Sequence, residues 1–117
     1  MTAYGDSFLV ASPDTITDML VINGVITINP ARRSDVIAAA IVMQVASQAE
    51  PGCHHYVFSS DLARDDVFYV TEKWEDLAAL DVHFATETMA TFQKSIAGAV
   101  VGSKVTKYEI ASEGPVR

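Results

Sequence analysis

Two residues nine positions apart, Trp74 and His83, are the side chains of this sequence best suited to form a chemically active pocket. An imidazole can accept a proton near neutral pH. An indole face can stack on a ring and contribute about 0.5–1.5 kcal/mol beyond its burial. Together the two side chains could line one pocket. The alternative is an ordinary core, with His83 near the end of a short helix whose dipole favours its positive charge.

A carboxylate is predicted on the same side of the chain as the tryptophan. Side chains two apart in a strand point to one face, so Glu72 lies on the face of Trp74. Glu72 is therefore either a carboxylate of the pocket or the buried partner of an arginine (Arg32, Arg33 or Arg64). We favour the ion pair, because an unpaired buried carboxylate is costly.

The residues around the other two histidines do not favour a metal site. His54 and His55 are adjacent and point to opposite faces of a strand, so with His83 they would supply at most two ligands to one ion. Cys53 is the only cysteine, which excludes a cysteine-rich zinc site. We expect no metal. Tyr56 shares the face of His54 and could reach the pocket, although a core tyrosine is the simpler interpretation.

Charge and hydropathy exclude several classes of partner. A net charge of −7 argues against nucleic acid, because phosphate binding requires clustered lysine and arginine, and it gives no attraction to an anionic membrane surface. The longest apolar run, residues 36–43, is far shorter than a membrane span. The N-terminus lacks a secretory pattern, and no GxGxxG run suggests a dinucleotide. We expect a soluble cytoplasmic domain.

The first half of the sequence reads as a strand followed by a helix. Residues 19–29 are rich in β-branched side chains, and Gly24 within them suggests a bulge or a close backbone approach. Asn29 followed by proline predicts a helix start, with Ser34 as the competing cap. The helix is expected to run to about Ala49, where Pro-Gly ends it.

The second half adds three strands and two short helices. Residues 53–60, 67–74 and 103–111 read as strands, and Asp76 and Thr86 are predicted to cap helices. The order β-α-β-β-α-β predicts an α+β, ferredoxin-like fold with an antiparallel sheet covered by helices on one face. Neither face of residues 67–74 is purely polar, so we expect a second subunit on the other face. Residues 1–18 and 112–117 are interpreted as an N-terminal extension and a C-terminal tail.

The segments EPGCHHY (residues 50–56) and VTEKWEDLAALDVHFATETMATF (residues 70–92) resemble the antibiotic biosynthesis monooxygenase (ABM) domain. The similarity covers roughly residues 19–111. Its most specific part is the pattern formed by Glu72, Trp74, Leu80, His83 and Phe92. The resemblance implies a homodimer that forms a dimeric α/β barrel, with a pocket between the sheet and the helices of each subunit.

The resemblance also implies a cofactor-independent monooxygenase that oxidises a quinol or a polycyclic phenolic substrate with O2, without metal or flavin. In this hypothesis His83 is the base and Trp74 is the wall against which the ring packs. The side chains assigned to substrate binding are Asn23, Tyr56, Glu72 and Phe92.

Three alternatives stay open at this point. The first is a haem-degrading monooxygenase with haem as substrate and cofactor, because such relatives use an asparagine of the first strand and Asn23 lies nearby. The second is an isomerase of a small phosphorylated carbonyl compound, although no Arg/Lys phosphate cradle is evident. The third is a non-catalytic ligand-binding barrel in which Trp74 and His83 are core residues.

Overall fold

The fold consists of one four-stranded sheet with the helices on one of its faces. The computed structural model describes residues 14–117. Its strands are Thr15–Ile16 (β1), Leu20–Ile28 (β2), Cys53–Ser60 (β3), Val67–Trp74 (β4), Val100–Glu109 (β5) and Ser112–Glu113 (β6). Its helices are a 3₁₀ turn at Pro30–Arg32 and the α-helices Arg33–Gln48 (α1), Leu77–Phe84 (α2) and Glu87–Ile96 (α3).

The strand order of the main sheet is β3-β4-β2-β5, and every neighbouring pair is antiparallel. This arrangement confirms the predicted α+β, ferredoxin-like class. A second, two-stranded sheet pairs β1 with β6. The sequence interpretation had placed these segments in the extension and the tail, because two-residue strands are too short to show alternation. Within the described residues, no helix has the length and apolarity needed to cross a membrane.

The start of the first helix differs from both predicted starts. Asn29 does act as a cap, since its Oδ1 accepts from the backbone N of Ala31 at 3.0 Å. The turn that follows is a 3₁₀ turn, closed by the N–H of Arg32 donating to the carbonyl of Asn29 at 2.9 Å. The α-helix begins at Arg33, and Ser34 lies inside it. The predicted caps of the later helices are confirmed: Asp76 caps α2 and Thr86 caps α3.

Helix α1 also fixes the outer edge of the sheet. Gln48 Nε2 donates to the carbonyl of Tyr56 at 2.9 Å, and the N–H of Phe58 donates to Gln44 Oε1 at 2.8 Å. These side chains satisfy backbone groups of β3 that no neighbouring strand pairs, which also protects the edge. The backbone of β3 is thereby held against α1 where Tyr56 enters the core.

The main core lies between the helices and the β3-β4-β2 part of the sheet. One cluster of buried side chains comprises Leu20, Ile22, Met43, Tyr56, Val70, Trp74 and Leu80. A second cluster comprises Ile28, Val36, Phe68 and Ala99. None of the residues of strand β5 is buried.

Gly24 marks a close approach rather than a bulge. It pairs in regular register with Val70 and Val105, and the register shift of β2 lies between Thr27 and Ile28 instead. A Cβ atom at Gly24 would lie 2.7 Å from Cγ1 of Val70. The missing side chain therefore makes room for a buried valine on the neighbouring strand.

We expect Gly24→Ala to lower the free energy of unfolding by about 1–3 kcal/mol, because the added methyl overpacks the core against Val70. Chemical denaturation measures the change. Gly102→Ala in β5 is the matched control, since nothing lies within 4 Å of a Cβ built there. Equal losses in the two variants would contradict the close approach.

Candidate functional site

His83 is fully buried at the end of α2, and its two ring nitrogens differ in their surroundings. Nδ1 lies 3.0 Å from Glu50 Oε1. A carboxylate accepts hydrogen bonds, so this contact matches the neutral tautomer that has its proton on Nδ1 and its lone pair on Nε2. Nε2 is buried and has no hydrogen-bond partner among residues 14–117. The site therefore contains a fixed imidazole with one unused acceptor atom.

Trp74 lies directly beside this imidazole. The ring centroids of Trp74 and His83 are 4.6 Å apart, and the ring planes are inclined by 40°. The indole is fully buried, and its Nε1 donates to Glu72 Oε1 at 2.9 Å. The structure thus brings the two residues of the sequence hypothesis together. The indole packs against the histidine itself as well as forming part of the core.

Further aromatic rings extend from this pair towards the surface. The Tyr56 ring centroid is 5.4 Å from that of His83 and 6.4 Å from that of Trp74. The Phe58 ring follows at 5.7 Å from Tyr56, and Phe92 at 5.7 Å from Phe58. We call these five residues the aromatic cluster. It joins β3, β4, α2 and α3, and it includes Tyr56 and Phe92 from the predicted substrate-binding set.

The prediction that Glu72 forms an ion pair with an arginine is wrong. The buried carboxylate of Glu72 accepts from Trp74, and the arginines bind elsewhere. Their partners are Asp35 for Arg32, the Asp65 carbonyl and Ser60 for Arg33, and Asp66 for Arg64. Burial raises the pKa of Glu72 to about 7, against the lowering effect of the Trp74 hydrogen bond, and the nearby Glu50 raises it further. The indole N–H takes the role that an arginine was expected to fill.

Asn23 is not brought to this site. It is exposed on β2, in register with Thr71 and Thr106, on the face of the sheet opposite the helices. Its neighbours Ile22 and Gly24 are buried on the helix side, because successive side chains of a strand alternate between faces. The assignment of Asn23 to a pocket with His83 is therefore wrong.

The remaining histidines lie on the surface. His54 Nε2 is 2.9 Å from Glu75 Oε1, and both side chains are exposed, as is His55. Cys53 is partly buried, and burial raises the pKa of its thiol. Within residues 14–117, no group of three His, Cys, Asp or Glu side chains is arranged to hold a metal ion.

A cavity of about 280 Å³ opens next to the aromatic cluster, between α1 and α3. It is lined by Ala39, Val42, Met43, Glu87, Thr88, Thr91, Phe92 and Ser95. Met43 belongs to the core cluster that contains Trp74, and Phe92 packs against that cluster. The cavity therefore borders the same core cluster that contains Trp74.

The sequence profile of the family described as antibiotic biosynthesis monooxygenase, ABM, matches residues 19–95. This chain belongs to the ABM family. The uncharacterized protein sll1783 of Synechocystis is 32% identical over 111 residues, which are 89% of this chain and 76% of the relative. The "putative monooxygenase YcnE" of Bacillus subtilis is 30% identical over 79 residues, which are 68% of this chain and 80% of the relative.

A solved structure supports the fold of the ABM protein independently. The crystal structure of a "putative antibiotic biosynthesis monooxygenase" from Deinococcus radiodurans superimposes with a TM-score of 0.78. The match covers 84% of this chain and 98% of the other at 22% identity. At this identity the likeness concerns the fold alone.

Glu50, Met43 and Phe58 are parts of the site that the sequence did not reveal. Glu50 lies 33 residues before His83, and no spacing rule connects a helix end with a later helix. One signal was available: Glu50 follows the C-terminal end of α1, where the helix dipole disfavours a negative charge. Met43 and Phe58 look like ordinary core residues in the sequence.

We expect Glu72→Gln to remove a pH dependence of stability in the ABM protein. The folded state raises the pKa of Glu72 from 4.5 to about 7, so it favours the protonated form. The resulting stabilisation is fully present below pH 4.5 and is lost as the pH rises through about 7. The amide of Glu72→Gln can still accept a hydrogen bond from Trp74. At about pH 8 the free energy of unfolding of the variant should therefore be higher than that of wild type by about 3 kcal/mol.

Chemical denaturation of both proteins between pH 4.5 and about 8 measures this difference. Glu75→Gln, which replaces an exposed carboxylate, is the control and should retain the wild-type profile. Parallel profiles for wild type and Glu72→Gln would show that this carboxyl does not titrate differently on folding.

Proposed function

We propose that this ABM protein is a cofactor-independent monooxygenase that oxidises a quinol or a polycyclic phenol with O2. The observation that carries the proposal is the buried Nε2 of His83, which has a free lone pair and no partner among the described residues. Leaving a buried polar atom without a hydrogen bond costs about 1–3 kcal/mol. The unpaired Nε2 of His83 lies beside Trp74 and supports the proposal, because it could accept the proton of a phenolic hydroxyl.

The chemistry balances without an added reductant. Nε2 of His83 takes the phenolic proton, and the resulting electron-rich anion donates electrons to O2. One oxygen atom becomes part of the ring system of the product. The other leaves as water, with both of its hydrogens from the substrate. The protein supplies the base, holds the ring and keeps bulk water away.

The substrate would approach from the cavity between α1 and α3, and the rings of the aromatic cluster between Phe92 and His83 would move to open a path to Nε2. Helix α3 has no buried residue, whereas α1 and α2 each contain buried side chains, so α3 is the helix proposed to move. Burial and the nearby Glu72 raise the pKa of the Tyr56 hydroxyl, which therefore stays protonated. In the proposed complex this hydroxyl donates a hydrogen bond to a substrate oxygen.

We expect His83→Gln to lower the enzyme-dependent rate of oxygen uptake roughly 100-fold or more, the usual contribution of a general base. The amide can still donate to Glu50, but it cannot take up a proton. Oxygen uptake with a panel of reduced naphthoquinols and anthrones, corrected for autoxidation, measures the effect. His54→Gln at the surface is the matched control, and full turnover by His83→Gln would remove the base assignment.

We also propose that the protein is a homodimer in which the uncovered faces of two sheets pack together. The face opposite the helices exposes apolar side chains, with Val25 at 42% and Tyr108 at 49% of their full exposure. Strand β5 has no buried residue within the single chain. Pairing of two such faces would bury these side chains and form the α/β barrel that the ABM resemblance implies.

We expect the protein to have about twice the 12.6 kDa mass of one chain in sedimentation velocity at micromolar concentration. Val25→Arg should give monomers, because it places a charge in the middle of the proposed interface. Val45→Arg, on an exposed part of α1, should remain dimeric. A wild-type protein that sediments as a single chain would exclude this interface. So would the opposite pattern, in which Val45→Arg is monomeric and Val25→Arg remains dimeric.

A further inference from the structure

We infer that Glu50 is a positioning residue for His83: it holds the imidazole as the Nδ1–H tautomer, points the lone pair of Nε2 towards the substrate, and balances the charge that the ring gains. The catalytic part of this inference rests on the proposed function. The tautomer does not, because it follows from the contact between Glu50 Oε1 and Nδ1 at 3.0 Å. Neither residue was connected to the other by the sequence pattern.

The backbone holds Glu50 in one place. Its N–H donates to the carbonyl of Ser47 at 3.0 Å, and its own carbonyl accepts from the N–H of Cys53 at 3.1 Å. These bonds fix the turn between α1 and β3. The side chain is only 14% exposed, so the carboxylate has few other positions available. His83 is completely enclosed, so the contact between Glu50 and His83 has a defined geometry.

The position of Glu50 is electrostatically unfavourable without the histidine. It follows the end of α1, where the dipole repels negative charge. It also lies near Glu72, whose pKa it helps to raise. Within residues 14–117, its ion-pair contact is with His83 and not with a lysine or arginine. The contact between Glu50 and His83 therefore becomes stronger when the imidazole gains a positive charge.

That charged state is the one that proton abstraction would produce. A neutral His83 donates a single hydrogen bond to Glu50, while an imidazolium adds a full opposite charge at the same distance. The interaction is thus stronger after the proton has moved from substrate to Nε2 than before it. An interaction that strengthens along the reaction speeds the chemical step more than it aids binding. The prediction is an effect on kcat and not on KM.

Two substitutions separate the geometric role from the charge. In Glu50→Gln the amide oxygen can still accept from Nδ1–H, so the tautomer is retained and the charge is lost. In Glu50→Ala both are lost. The ¹⁵N chemical shifts of labelled histidine report which nitrogen of His83 carries the proton, and the measurement needs no substrate. Glu75→Gln, which breaks the exposed contact with His54, is the matched control.

We expect wild type and Glu50→Gln to carry the proton on Nδ1, and Glu50→Ala to lose that preference. In oxygen uptake, Glu50→Gln should lower kcat roughly 10–100-fold with KM unchanged, as is usual for a residue that orients a functional histidine. Glu75→Gln should match wild type in both measurements. Thermal unfolding of each variant establishes that it is folded.

Each contrary result has one meaning. A proton on Nε2 and not on Nδ1 in wild type, or an unchanged Nδ1–H tautomer in folded Glu50→Ala, overturns the positioning role. Unchanged kcat in Glu50→Gln overturns the role of the charge. If wild type fails to accelerate oxygen uptake while the nitrogen shifts behave as expected, the proposed function fails and the positioning of His83 by Glu50 stands.

Discussion

The packing of Trp74 against His83 is the interaction on which the interior of this ABM protein depends. The indole ends β4, is fully buried, and lies 4.6 Å from the imidazole that α2 supplies. Its N–H satisfies Glu72 two residues earlier on the same strand. Because Glu50 holds the other side of the imidazole, this one contact connects the sheet, the end of α1 and the C-terminal part of α2. Removing the indole would take the hydrogen-bond donor from Glu72 and the packing partner from His83, which are both buried.

The candidate site is closed in this structure. His83 is enclosed, and the aromatic cluster leads from it to Phe92 beside the cavity between α1 and α3. In the proposed reaction, closure would keep water from the substrate anion and strengthen the charge interactions inside the site. It also requires movement for access, and α3 is the helix least embedded in the core. The buried carboxyl of Glu72, with a pKa of about 7, keeps the negative charge near Glu50 low below that pH.

The sequence predicted the parts of this structure that depend on local pattern. Alternation placed Glu72 and Trp74 on one face of β4, and the capping residues Asp76 and Thr86 located α2 and α3. It did not place Asn23, because apolar residues occur on both faces of this strand and do not show which face meets the helices. It also missed Glu50 and chose an arginine for Glu72, since contacts between distant segments depend on packing and leave no spacing rule. The two-residue strands β1 and β6 were too short to predict.

The most direct measurement of the central claim is the fate of labelled oxygen. Purified protein would be supplied with ¹⁸O₂ and a reduced naphthoquinol or anthrone, and the product mass and hydrogen peroxide would be measured against autoxidation. The proposed monooxygenase predicts one labelled oxygen atom per product molecule, with the second atom in water and no accumulation of peroxide. An unlabelled product with an equal amount of peroxide would show simple oxidation instead, and would contradict the account in which His83 starts a monooxygenation.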